Sequence, residues 1–225
     1  SILVAPETAQ QHLLALTAFN LEISRIAAAV SEPQIELVRQ PWWLDSIDGI
    51  YAGSTPEHPV AIALAGAIAF AKLPPEPFRN LIMAREFDLY DDAMPTLNDL
   101  EGYLGETSSA VMQMAALILG ISAADVAGLA GVASGIAGVL RSGRKSYLPA
   151  DMVRSSGETE TIRQLCAHAR KRLGEARDLE ISADVLPAFL PASLTEIYLT
   201  RIERGGSLHV SQIRRQILVW WAARR

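Results

Sequence analysis

One cysteine and four histidines in 225 residues leave little material for thiolate or imidazole chemistry. Cys166 alone cannot close an internal disulfide, which fits a reducing compartment. His12, His58, His168 and His209 stand at no metal-ligand spacing, so neither a zinc site nor a histidine-based triad is expected. No GxGxxG run and no GK[ST] loop is present, which excludes the common phosphate cradles. Aromatic residues make up only 6%, while alanine and leucine dominate, a balance that favours helices over sheets. The net charge of −5 argues against a general nucleic-acid binder. Ser1-Ile-Leu-Val-Ala has neither a basic n-region nor a long apolar core, so this end does not read as a signal peptide.

Charge is missing where it matters most. Between Ser108 and Leu140 the only ionisable residue is Asp125. Such a stretch must be buried in protein or in lipid. The run from Ala110 to Ala124 is shorter than the roughly 20 residues a bilayer span needs. Ser122-Ala-Ala-Asp125 reads as a capping box that starts a second helix. Two central helices of a soluble all-α domain are therefore expected rather than a membrane hairpin. The second carries Gly128, Gly131, Gly135 and Gly138 among alanines. Each interior glycine costs about 1 kcal/mol against alanine. Either another helix packs there backbone to backbone, or a long apolar pocket runs beside it.

Elsewhere, spacing sets out the remaining helices. Leu13, Leu16, Phe19, Ile23, Ile26 and Val30 mark a first helix that ends before Pro33. Ile35 to about Tyr51 forms a second, kinked or split at Pro41. Its adjacent Trp42 and Trp43 cannot share one face, so one anchors the core and the other meets a cavity or a neighbouring element. Pro59 opens a third helix, apolar nearly all round and so expected to be buried. A fourth runs from Phe78 to Leu89 and ends at Asp91-Asp92-Ala-Met-Pro95. Thr96-Leu-Asn-Asp99 caps the first central helix. Residues 150–180 read as one amphipathic outer helix with Ile162, Leu165, Cys166, Ala169, Leu173 and Ala176 on its apolar face. A short helix spans Leu194 to Arg204, and a last one follows Gly205-Gly206 to about Arg225. With no repeat and no linker, residues 1–225 read as one domain of eight to ten helices.

Asp88, Asp91 and Asp92 are the densest carboxylates. On one helix their i, i+3, i+4 spacing would let them hold Mg²⁺ against a diphosphate; otherwise they mark a helix end and a polar loop. Asp45 and Asp48, at i, i+3, read as a solvated face. From Arg204 onward there are five arginines and no acid, with Trp220 and Trp221. That pattern suits an anionic membrane surface, or a helix docked on its own domain.

Phe19-Asn20, Glu22-Ile-Ser-Arg25, Val30-Ser-Glu-Pro33, Trp42-Trp43, His58-Pro59, Asp88-Leu-Tyr90, Tyr103, Glu106-Thr107, Val139-Leu-Arg141 and Tyr147-Leu-Pro149 follow one another in an order that resembles the squalene/phytoene synthase family. The chain is similar in particular to the divergent branch that includes a mitochondrial complex I assembly factor and its bacterial relatives. The resemblance implies an all-α trans-isoprenoid synthase bundle around a central apolar cavity. Active members condense two prenyl diphosphates head to head, with two Asp-rich motifs holding Mg²⁺. The positions matching the first motif read Ser24-Arg25-Ile26-Ala27-Ala28, with no aspartate. Around Val139-Leu-Arg141, Gly138 and Ser142 stand where the family has Asn and Asp, and the chain from Ser142 to Lys145, like that after Asp151, is shorter than the family's pattern.

The chain is therefore expected to be a non-catalytic isoprenoid- or lipid-binding protein or respiratory-complex assembly factor, with no cofactor. The site residues the resemblance implies are Arg141, Tyr147, Tyr103 and Asn20. The alternative is an active head-to-head prenyltransferase with Mg²⁺ held by Asp88, Asp91 and Asp92. A pure protein–protein module is a third class. Expected partners are a lipid, a protein client and a membrane touched by the C-terminal helix. The implied location is the cytoplasm or the inner-membrane surface of a bacterium, or the mitochondrial matrix of a eukaryote.

Overall fold

A computed structural model describes residues 2–26, 33–90, 92–205, 210–211 and 216, with the backbone alone at 33–38. Among these residues there are helices and turns and no strand, as the alanine- and leucine-rich composition predicts. The C-terminal helix with Ile213, Ile217, Leu218, Trp220 and Trp221 lies outside the described residues, as do Asp91, Val30 and Ser31-Glu32. The chain forms two compact units.

One unit comprises residues 2–91 and 114–122. It holds α1 (Glu7–Ile26), α2 (Pro33–Tyr51), α3 (Pro59–Ala71) and α4 (Glu76–Ala84), with a 3₁₀ turn at Arg85–Leu89. Leu13, Leu16, Phe19 and Ile23 repeat at helical spacing on α1 and are all buried. Phe19 is the hub: its ring meets Trp43 edge-on at 5.3 Å and Phe78 at 5.5 Å. Such edge-to-face pairs add about 0.5–1.5 kcal/mol each beyond their burial. The two tryptophans divide as expected, with Trp43 3% and Trp42 38% exposed. Pro41 neither ends nor splits α2, which runs through it. Tyr51 Oη donates to the Leu73 carbonyl at 2.7 Å, tying the end of α2 to the end of α3. Burial, with the charge of Glu76, pushes this phenol up to about 12. On α3 the expectation of full burial fails. Ala61, Leu64, Ala67 and Ile68 are buried, but Ile62 is 57% and Phe70 49% exposed. An apolar sequence does not by itself supply a partner for every face.

The other unit comprises residues 92–113 and 123–225. Its described elements are α5 (Leu97–Leu104), a π-helical turn (Gly105–Ser109), α6 (Ala110–Ile118, in this unit to Gln113), α7 (Ala124–Ser142), α8 (Ala150–Ser156), α9 (Glu158–Arg177), α10 (Leu186–Phe189) and α11 (Thr195–Glu203). Thr96 caps α5 as its sequence predicts: Oγ1 accepts from the Asp99 N–H at 3.2 Å and donates to Asp99 Oδ2 at 2.7 Å. The cap of α7 falls one residue after the expected Ser122. Ala123 holds the N-cap position, with no side-chain cap, and Gly120 at φ +86° makes the preceding turn. The two central helices are separate nonetheless. The outer helix is also two helices. Gly157 at φ +80° divides α8 from α9, and Thr161 rather than Ile162 joins the buried face, its hydroxyl satisfied by the Gly157 carbonyl at 2.9 Å.

α7 is long and apolar enough to cross a membrane, yet half of it is buried within the fold, against α9, α11 and the π-helical turn. Two of its glycines serve close packing. A Cβ at Gly131 would stand 2.4 Å from both Cα and Oγ of Ser109, and one at Gly135 would stand 2.7 Å from Leu104 Cδ2. At Gly128 and Gly138 it would meet nothing within 4 Å.

These two classes of glycine predict opposite signs. Gly131→Ala overpacks and should lower stability by about 1–3 kcal/mol. Gly138→Ala should raise it by up to about 1 kcal/mol through helix propensity. Urea denaturation of both variants decides, and shifts of the same sign would exclude backbone contact at Gly131. Burial also pushes the Cys166 thiol up to about 11, so alkylation should proceed at the rate of unfolding; rapid labelling of the folded protein would contradict the packed position.

Candidate functional site

Tyr103 and Tyr147 are brought together. Their buried rings lie 5.7 Å apart, tilted by 39°. Tyr103 comes from α5, and Tyr147 from the 3₁₀ turn Lys145–Tyr147 after α7. That turn is held by the backbone. The Met94 N–H donates to the Ser146 carbonyl at 2.7 Å, and the Ala150 N–H donates to the Met94 carbonyl at 2.8 Å. Arg144 lies over the Tyr147 ring at 5.3 Å. Arg141, in the last turn of α7, is exposed and lies over Tyr198 at 4.6 Å. It does not join the tyrosine pair in any described contact. The contact of the exposed Arg141 is worth about 0.5–1 kcal/mol.

Asn20 belongs to the other unit, on α1, one residue beyond the Phe19 hub. Its Oδ1 is buried and accepts no hydrogen bond, as is His58 Nδ1 beside Trp42 and Trp43. An unmet acceptor of this kind costs about 1–3 kcal/mol unless a ligand or water donates to it.

The acidic cluster departs from its one-helix geometry. α4 ends at Ala84, Asp88 falls in a 3₁₀ turn, and Asp92 is exposed and non-helical. Asp88 is only 5% exposed, and its Oδ2 accepts from Arg85 at 3.0 Å. Among the described residues no three His, Cys, Asp or Glu side chains come together as a metal site would need, and Asp91 lies outside them. Asp48 is bridged by Arg79 at 2.6 Å on the surface. At the positions of the expected first motif, the Ser24 hydroxyl donates to the Leu21 carbonyl at 3.0 Å and Arg25 is exposed. At those of the second, the Ser142 hydroxyl donates to the Val139 carbonyl at 2.6 Å.

Sequence reasoning missed one feature. Glu101, Ser109, Asp125, Gly128, Leu129, Val132 and Arg172 line a cleft of about 600 Å³ beside the π-helical turn. π-turns recur at functional sites. Here the turn sets Ser109 against α7, where its hydroxyl donates to the Gly128 carbonyl at 3.0 Å. Arg172 grips Glu101 bidentately, at 2.8 Å from Nε and 3.0 Å from Nη2, and donates to Glu175 at 3.1 Å. His168 Nε2 lies 2.7 Å from Glu101 Oε1. The i, i+4 spacing of His168 and Arg172 was a legible signal for a shared partner; the carboxylate that answers it lies 67 residues away from His168.

The fold and the family each have a counterpart among known proteins. The fold matches that of a dehydrosqualene synthase crystallised with a ligand, at TM-score 0.79, 20% identity and coverage of 98% of this chain and 88% of that one. A squalene synthase from Alicyclobacillus acidocaldarius follows at TM-score 0.77 and 20% identity, over 91% of this chain and 86% of that one. The squalene/phytoene synthase family model matches residues 1–221, and the chain belongs to that family. Among characterised relatives, NADH dehydrogenase (ubiquinone) complex I, assembly factor 6 of Bos taurus is 31% identical over 90% of this chain and 68% of its own length. Its Homo sapiens counterpart is 30% identical over the same shares.

Arg172's hydrogen bonds, and secondarily that of His168, hold Glu101 below the usual carboxylate range against the opposing effect of burial. A depressed folded pKa adds stability that is complete above the unfolded value and is lost as pH falls through the folded one. Glu101→Gln should therefore cost about 1–3 kcal/mol at neutral pH, and the variant should lose less stability than wild type on acidification below about pH 4.5. Parallel acid limbs for the two proteins in urea melts would refute the coupling.

Proposed function

We propose that this chain retains the synthase fold without metal-dependent condensation and acts as an assembly-type factor for a respiratory complex, carrying an isoprenoid or another lipid. The observation that carries this reading is the 31% identity, across 90% of the chain, to a protein named for the assembly of complex I. The sequence at the two motif positions supports it. Ser24-Arg25-Ile26-Ala27-Ala28 offers no carboxylate, and the Arg25 guanidinium would repel Mg²⁺. Gly138 and Ser142 offer none at the second. No cofactor is required.

Complex I is then the client, and the protein works where that complex is built, in a mitochondrion or at a bacterial inner membrane. The stretch from Arg204 to Arg225, with five arginines and two tryptophans, supplies a peripheral contact with anionic lipid. Within the larger unit, Tyr103, Tyr147 and Arg141 are the residues offered to the ligand; in the other unit, Asn20 brings a separate unmet acceptor.

Two measurements test the reading. Incubation with farnesyl diphosphate and Mg²⁺ should give no turnover, and solvent extraction of the purified protein should release a lipid detectable by mass spectrometry. Turnover that disappears in Asp91→Ala would replace this reading with an active prenyltransferase. Neither turnover nor lipid would leave a protein–protein module.

A further inference from the structure

α3 contains no polar side chain, and its outer face is exposed among the described residues. Ile62 and Phe70 are 57% and 49% exposed, and Ala63, Gly66 and Ala69 between them are exposed as well. Large apolar side chains left in water on one helix face mark a contact surface. Phe70 is also held in place: its ring stacks on His12 of α1 at 4.1 Å. A Cβ on Gly66 would meet nothing within 4 Å, so no contact among the described residues explains a glycine in mid-helix.

The order of residues on this face identifies its occupant. About Gly66 the pattern is symmetric: alanine three residues away on each side, and a large apolar side chain four residues away on each side. A two-fold axis through Gly66 lays a second α3 antiparallel on the first. Ile62 then meets Phe70 of the partner, Ala63 meets Ala69, and the two Gly66 backbones approach at the dyad. An isologous contact requires such a self-complementary patch, and small residues at the crossing allow an axis separation near the lower end of the usual 8–10 Å. The ends agree in charge. Exposed Glu57 precedes the start of α3 and exposed Lys72 caps its end, so the antiparallel pair brings each acid toward a base, with the helix dipoles opposed. We infer that the Ile62–Phe70 face of α3 pairs with the same face of a second copy of this chain, as a symmetric homodimer centred on Gly66.

Sedimentation of the full chain across a concentration series should show a species of twice the 24.3 kDa monomer mass. Gly66→Arg sets two guanidiniums against each other at the dyad and should give only monomer at every concentration, while the open space at this position leaves the fold, followed by circular dichroism, unchanged. Gly66→Ala, which cannot harm the monomer, should weaken the dimer by separating the helices. Gly66→Cys should cross-link to itself on mild oxidation, since residue 66 faces its own copy and Cys166 is buried. A wild-type chain that stays monomeric, including one that instead floats with lipid vesicles, overturns the inference. So does a dimer that survives Gly66→Arg, or a Gly66→Cys protein that does not cross-link.

Discussion

The approach of one helix to another without intervening side chains is the constraint on which the larger unit depends. Gly131 admits Ser109, backbone against backbone, and Gly135 admits Leu104 and Ser108. Only a residue with no Cβ allows this, because the ideal Cβ positions already overlap their neighbours. The same contact fixes where the π-helical turn sits, and the turn in turn places Ser109 on the Gly128 carbonyl and opens the cleft beside it. Packing and site geometry here are one feature seen from two sides.

Around that contact, polar links set the register of the outer helices. Arg172 and His168 of α9 converge on Glu101 of α5, and Arg170 joins α9 to α11 through Glu196 and Glu203. Hydrogen bonds from Arg170 hold Glu203 below the ordinary carboxylate range. Pairs of this exposure add modest stability one by one. Their geometric content is larger: a bidentate guanidinium–carboxylate fork tolerates little rotation of either helix. The apolar contacts hold the helices together, and the forks choose among the ways they could pack.

Much of this was legible beforehand, because helical periodicity and capping are local. The α1 stripe, the Pro59 start, the Thr96 cap and the division between Trp42 and Trp43 all follow from spacing alone. What failed was decided elsewhere. Ser122 has the right chemistry for an N-cap, but Ala123 holds that position, one residue on. Asp88 has the spacing for one helix face with its neighbours, but its helix ends first and it falls in a 3₁₀ turn, where Arg85 donates to its Oδ2. The Glu101 cluster joins residues from distant segments, and no local rule pairs them. The glycines of α7 look alike in sequence, yet two are in contact and two stand open; the neighbour, not the glycine, makes the difference.

The five-residue turn between α5 and α6 also has a bearing on chain length. A π-turn holds one residue more than the α-helical turn it replaces. Removing that residue would restore an unbroken α-helix from Leu97 to Ile118 and swing everything downstream by about 100°. A deletion in this segment would thus be felt along the whole helix, whereas a substitution at an exposed position such as Glu106 would stay local.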